Sequence, residues 1–164
     1  MVGPRRNLEE MIEEPDLADS LFLGGYRGLK QWSVSQKKVT KDHDDIMAGN
    51  IWSMAQTSDK KYLFVSDSSG CLKQIDVKQQ KVVRDYGKIH GQIMSIAISS
   101  DDKYLFTSGV ENNGHVKQFL VSDGQMINDY GATFENDGIR SITTTPDNKY
   151  LFAGSNTGYL KQIC

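Results

Sequence analysis

One four-letter phrase is written four times in this chain: LKQW at Leu29–Trp32, LKQI at Leu72–Ile75, VKQF at Val116–Phe119 and LKQI at Leu160–Ile163. The copies stand 43, 44 and 44 residues apart. A repeat of that length is one small unit that cannot bury its apolar surface alone, so it must stack on its neighbours. Fold follows from this period before any local propensity is weighed.

The echo extends on both sides of the phrase. An apolar run precedes each copy: SLFLGG at Ser20–Gly25, YLFVSD at Tyr62–Asp67, YLFTSG at Tyr104–Gly109 and YLFAGS at Tyr150–Ser155. Three of these follow turn-forming stretches, SDKK at Ser58–Lys61, SDDK at Ser100–Lys103 and PDNK at Pro146–Lys149. Asp and Asn bond to their own backbone there, and proline presets its φ angle. Before each turn lies a run that alternates at i, i+2: IWSMAQT at Ile51–Thr57, IMSIAIS at Ile93–Ser99 and IRSITTT at Ile139–Thr145. That period reads as strand rather than helix. A fourth candidate strand follows the first three phrases, at Lys38–Asp42, Lys81–Asp85 and Gln125–Asp129. Each period is thus four short strands, a, b, c and d, in chain order. A glycine precedes each c strand (Gly28, Gly70, Gly114, Gly158), as a tight hairpin with positive φ requires.

These residues resemble WD40-type repeats. The likeness rests on the period, on the LKQW and LKQI-Asp phrases and on turns such as TPDNKYLFAGS, and it covers roughly nine-tenths of the chain, from Ser20 to Cys164. Trp32 and the Ile75–Asp76 pair stand at the place of the family's Trp-Asp dipeptide, although no copy keeps Trp and Asp together. The family's Asp in the b–c turn is replaced by Arg27, Ser69, Asn113 and Thr157, so its Asp-His-Ser-Trp hydrogen-bond network is not expected. A generic WD40-like or quinoprotein-like (YVTN-type) propeller fits equally. The resemblance implies an all-β fold, a partial β-propeller of about 3.5 four-stranded antiparallel blades. Their expected bounds are residues 20–42, 51–85, 93–129 and 139–164, with 14 strands in all, after an N-terminal tail or short helix over residues 1–19. Asn7 as a cap, Glu9 and Glu10 in the first turn and Pro15 as a stop favour a helix at Asn7–Glu14.

A full seven-bladed ring needs about 28 strands. The chain is therefore read as a fragment or half-ring of a larger propeller, as a half that closes with a second copy or partner, or as an open stack with capped ends. Unpaired edges and bare faces would otherwise be aggregation hazards.

Composition narrows function. The net charge of −2, from 19 basic and 21 acidic residues, disfavours nucleic acid and anionic membranes as partners. No apolar run reaches the roughly 18–20 residues of a membrane helix, and the N-terminus lacks the apolar stretch of a secretory signal. Two distant cysteines, Cys71 and Cys164, suit a reduced, cytoplasmic setting.

Catalytic chemistry finds little support. His43, His90 and His115 fall in loops about one blade apart, too scattered for zinc. Cys71 has no neighbouring base in sequence, and the Asp42, Asp44, Asp45 cluster lacks the glycine and terminal glutamate of a calcium loop. The expectation is a non-catalytic protein-interaction or scaffold module without cofactor or metal. The other reading, from a different class, is a propeller enzyme, a lactonase-like hydrolase or quinone-dependent dehydrogenase. In propellers the b–c and d–a loops share one face. Here that face would carry Tyr26, Arg27, Asp44, Asp45, Tyr86, His90, Glu111, Asn112, Tyr130, Glu135 and Asp137. It suits a polar protein or peptide partner of some basic character. The opposite face is rich in turn lysines such as Lys60, Lys61 and Lys103. Gln31, Gln74, Gln118 and Gln162 share a strand face with the phrase leucines, and each is expected to bridge to the backbone of the next blade.

Overall fold

A computed structural model describes residues 19–26, 28–43, 46–110 and 114–163. It holds fourteen strands in four antiparallel sheets. The first sheet is β1 (Ser20–Gly25), β2 (Gly28–Ser33) and β3 (Lys38–His43), in that order. The second is β4 (Ile51–Gln56), β5 (Tyr62–Asp67), β6 (Cys71–Asp76) and β7 (Lys81–Lys88). The third is β8 (Ile93–Ile98), β9 (Tyr104–Gly109), β10 (His115–Leu120) and β11 (Met126–Ala132). The last is β12 (Ile139–Thr144), β13 (Leu151–Ser155) and β14 (Leu160–Gln162). This is the all-β, partial-propeller arrangement that the repeat predicts. The sheets do not close into a ring, and no helix occurs among the described residues. The expected helix at Asn7–Glu14 lies outside them. The d strands β7 and β11 run past Asp85 and Asp129, where the sequence pattern stops, to Lys88 and Ala132.

Turn chemistry recurs with the period. Thr57, Ser99 and Thr145 each donate a hydroxyl hydrogen bond to the aspartate two residues on, at 2.6, 2.6 and 2.5 Å. The same hydroxyls accept from the N–H of Tyr62, Tyr104 and Tyr150 as strand b begins. These bonds hold Asp59, Asp101 and Asp147 below the ordinary carboxylate range. The glycines before strand c have φ of 102°, 88°, 52° and 92°, the left-handed region that disfavours a side chain.

Three joints between sheets hold the core. At the first, Leu29 packs with Met47, Ile51, Leu63, Val65, Ile75 and Val77. At the second, Phe64 and Leu72 meet Ile93, Ile96, Leu105 and Phe119. At the third, Phe106 and Val116 meet Ile139, Ile142, Leu151 and Ala153. Each of the first three sheets pushes its b-strand phenylalanine and its phrase leucine or valine into the a and b strands of the next sheet.

Polar links fix the spacing of these joints. A β-bulge follows Ile51, Ile93 and Ile139 in the a strands, and it re-aims the next serine. Ser53 Oγ accepts the N–H of Ile96 at 3.0 Å, and Ser95 Oγ accepts that of Ile142 at 3.2 Å. The phrase lysines add a second set of links. Lys73 donates to the carbonyl of Ile46 at 2.8 Å, Lys117 to that of Ile89 and Lys161 to that of Thr133 at 2.9 Å. Each lysine latches the d–a connector that leads into its own sheet.

The phrase leucine separates covered from open sheet faces. Leu72 is 0% exposed, whereas Leu160, in the same place on the last sheet, is 74% exposed. Leu72→Ala should therefore destabilise the chain by about 2–5 kcal/mol, and Leu160→Ala by less than about 0.5 kcal/mol. Chemical-denaturation midpoints of the two variants check this; equal losses would contradict the joint described here.

Candidate functional loop face

The b–c turns and d–a connectors interleave on one side of the stack. Ile89 N–H donates to Gly70 O at 2.9 Å, and Thr133 N–H to Gly114 O at 2.9 Å. From the other side, Ser68 N–H donates to Asn50 O at 2.8 Å and Asn156 N–H to Gly138 O at 2.9 Å. The connector at residues 133–138 is thus held between two successive b–c turns, and the two earlier connectors are each bonded to the b–c turn of the second sheet. The approach is close enough to exclude a side chain: a Cβ on Gly70 would lie 1.9 Å from His90 O. Loops held by backbone bonds present their side chains on a fixed frame.

Part of the expected surface lies on the described loops, at the first b–c turn and in the last connector. Tyr26, after β1, is 83% exposed. Glu135 is exposed and Asp137 half-buried in the connector before β12. Asp137 accepts from Thr157 N–H at 3.1 Å and from the Thr157 hydroxyl, so it clamps the b–c turn of the last sheet. Hydrogen bonds from Thr157 and Ser155 hold its carboxyl below the ordinary range. Arg27, Asp44, Asp45, Glu111 and Asn112 lie outside the described residues.

Three expected surface residues point elsewhere. His90 is buried at 2% exposure, with Nε2 3.0 Å from Thr107 Oγ1. One link of the His-to-hydroxyl kind, which the b–c turn residues gave no reason to expect, therefore stands in the third sheet. The signal was available, since His90 aligns with Met47 and Phe134, whose side chains pack inward. Tyr86 and Tyr130 are half-buried on the d strands. The Tyr86 hydroxyl donates to Gln74 Oε1 at 3.3 Å, and that of Tyr130 to Gln118 Oε1 at 2.9 Å. Burial raises the Tyr86 phenol above its ordinary pKa.

The glutamines consequently satisfy themselves within their own sheets. Gln74 accepts from Tyr86 and from Arg84, at 3.2 Å, while Gln31 donates to Ser20 Oγ at 2.8 Å. The expected bridge to the next blade's backbone is not made by these residues. Bridging falls instead to the bulge serines and phrase lysines.

The b–c turn of the second sheet gains its acid from an unexpected place. Asp67, at the end of β5 and buried, accepts from Ser69 N–H at 3.0 Å, from the Ser69 hydroxyl at 2.6 Å and from Cys71 N–H at 3.1 Å. Its other oxygen accepts from Gly49 N–H at 3.1 Å and joins turn to connector. Among the described residues, no three His, Cys, Asp or Glu side chains gather as metal ligands would.

The WD40 family model, described as WD domain, G-beta repeat, matches residues 81–119. That stretch runs from β7 into β10, one full repeat counted from strand d through strand c. Together with the repeated antiparallel sheets, it fits a WD40-type repeat family. A search of curated proteins gives no match to this chain.

Two predictions follow from the frame of this face. Gly70→Ala places a Cβ against backbone at φ 88°, whereas Gly158 has φ 92° with open space around it. The first should cost more than about 2 kcal/mol and the second about 1 kcal/mol, read from urea midpoints. His43, buried at the end of β3, has its imidazole pKa depressed below the ordinary 6.5 by burial, helped by the Lys41 charge and opposed by Asp42. The unfolded chain then binds the proton more tightly than the folded one. Stability is complete above about pH 6.5 and falls as pH drops toward the folded pKa. His43→Gln should flatten that slope between about pH 7 and 5, measured by denaturation at stepped pH.

Proposed function

We propose that this chain is a non-catalytic interaction module, a scaffold surface whose b–c and d–a loops bind a polar, partly basic peptide segment of another protein. Repeats of this type support a protein-interaction role in general. The observation that carries the finer reading is the interleaved loop frame at the last joint, where exposed Glu135 shares a connector with the clamped Asp137, and exposed Tyr26 stands on the first b–c turn. An exposed tyrosine offers an amphipathic contact at low entropic cost, and carboxylates steer basic groups. Arg27, Asp44, Asp45, Glu111 and Asn112 belong to the same proposed surface. In this reading the protein works inside the cell, and neither nucleic acid nor a membrane is its target. No helix among the described residues is long and apolar enough to cross a membrane.

A second copy is the proposed neighbour for the end sheets. Leu21 and Leu23 on the first sheet and Leu160 on the last are exposed, yet their counterparts Leu63, Val65 and Leu72 meet neighbouring sheets at the interior joints.

The test is titration of the isotope-labelled chain with a short Lys- and Arg-containing peptide that carries one tyrosine, followed by amide shifts. Shifts should centre on Tyr26 and residues 133–138, weaken with salt, and drop about tenfold in affinity for Glu135→Lys. Shifts on the lysine-rich a–b turns, or none, would overturn the loop-face reading. Light scattering alongside decides the second copy, since a constant monomer mass removes it.

A further inference from the structure

We infer that the rim formed by the c–d turns and d strands of the first two sheets is a basic docking surface, and that its occupant is the chain's own acidic segment, residues 7–16. This surface lies away from the loop face, and neither needs the other. The rim differs in charge from sheet to sheet. Residues 34–41 hold Lys37, Lys38 and Lys41 and no acid, and residues 77–84 hold Lys78, Lys81 and Arg84 and no acid. The matching stretch of the third sheet, residues 121–128, holds Asp123 and no cation. Edge lysines that served only to keep d strands from pairing would be wanted on all three sheets.

The two basic stretches form one surface. Lys41 Nζ donates to Gln80 Oε1, which ties β3 to the c–d turn of the second sheet. Lys37, Lys38, Lys78 and Lys81 are exposed. The aspartates of β3 and β7 are engaged elsewhere, Asp42 by Lys30 and Asp85 by Lys73. Among the described residues, Lys37, Lys38, Lys41, Lys81 and Arg84 have no carboxylate partner. Val34, Val39, Val82 and Val83 are exposed between these cations. The surface thus offers positive charge and small apolar contacts together.

The segment NLEEMIEEPD, residues 7–16, complements it on both counts. It carries Glu9, Glu10, Glu13, Glu14 and Asp16 and no cation, with Leu8, Met11 and Ile12 among them. The described chain also begins beside the rim. Asp19 O accepts Val34 N–H at 2.9 Å, and its carboxylate accepts Ser35 N–H at 2.7 Å and the Ser35 hydroxyl at 2.8 Å. Residue 19 is therefore fastened to the turn that carries Lys37. Asp16 stands three residues before it, at most about 10 Å of chain away, so the segment is delivered to the rim at high effective concentration.

The test is zero-length carbodiimide coupling of carboxylates to amines in the full chain, with the coupled pairs read by mass spectrometry. Glu9, Glu10, Glu13 and Glu14 should couple to Lys78 and Lys81 in preference to Lys60, Lys61 and Lys103, and about fivefold less in about 0.5 M salt. Lys78 and Lys81 decide the matter, since Lys37 is near Asp16 by connectivity alone. A second measurement titrates the free peptide NLEEMIEEPD into the chain and into its Glu9→Gln, Glu10→Gln, Glu13→Gln, Glu14→Gln variant. The variant should bind at least about tenfold more tightly, with amide shifts at residues 34–41 and 77–84, because its own segment no longer competes. Adding Lys38→Glu and Lys81→Glu to that variant should abolish the binding. Coupling spread evenly over all lysines, coupling only between copies in a mixture of labelled and unlabelled chains, or equal peptide binding by chain and variant would overturn the inference.

Discussion

Each sheet of this chain is stable only because another covers it. Four strands of six to eight residues form too small a surface to fold alone, and an isolated sheet of this size leaves two apolar faces in water. The phrase leucine and the b-strand phenylalanine solve this by entering the next sheet at every interior joint. Burying such side chains is worth about 1.5–3 kcal/mol each. A neutral hydrogen bond nets about 1 kcal/mol. The joints therefore carry the energy, while the serine and lysine links set which strand lies against which.

That division explains why the polar links are so regular. An apolar joint alone tolerates sliding by a residue, since leucine, isoleucine and valine substitute for one another in volume. The bulge serine does not tolerate it, because its hydroxyl meets a single N–H on the neighbouring a strand. The lysine latch adds a second constraint one register step away, on a backbone carbonyl of the connector. With two links at this end of each joint, the b–c turns are carried into contact with the connectors, and the loop face is rigid as a consequence of the core.

Much of this was legible in the sequence. Strand positions followed from the alternation of IMSIAIS and the spacing of the phrase, because period-two patterning and repeat length are local properties. The glycines before strand c announced the hairpins for the same reason. What could not be read were the partners of side chains across strands. Gln74 meets Tyr86, twelve residues on, only because a bulge in the β6–β7 pairing sets that register, and the bulge has no sequence mark of its own. The carbonyls that Lys73 and Lys161 hold are backbone groups, which every residue carries and no motif distinguishes. The burial of His90 was within reach, because its sister positions are Met47 and Phe134 and a periodic fold places equivalent positions alike. On the loop face, alignment put Tyr86 and Tyr130 near the surface, but their rings are spent on covering the phrase glutamines.

The links between sheets fall into two kinds, and the difference concerns how a repeat chain is held. Bulge serines and phrase lysines are written in every copy that has the strand to carry them. The a–b turns, on the opposite side, are coupled by a relay specific to each joint. Ser58 N–H donates to the Asp102 carboxylate at 2.9 Å, and Ser100 N–H to Asn148 Oδ1 at 2.8 Å. At the next donor position stands Pro146, which has neither N–H nor hydroxyl to give. At the first acceptor position stands Lys60, which has no acceptor group on its side chain. The relay is thus written only where one described turn faces another. Repeat-general links follow from the shared backbone geometry, so they recur wherever that geometry does. Joint-specific links depend on both partners being present, so their residues change from copy to copy with the neighbour each turn meets.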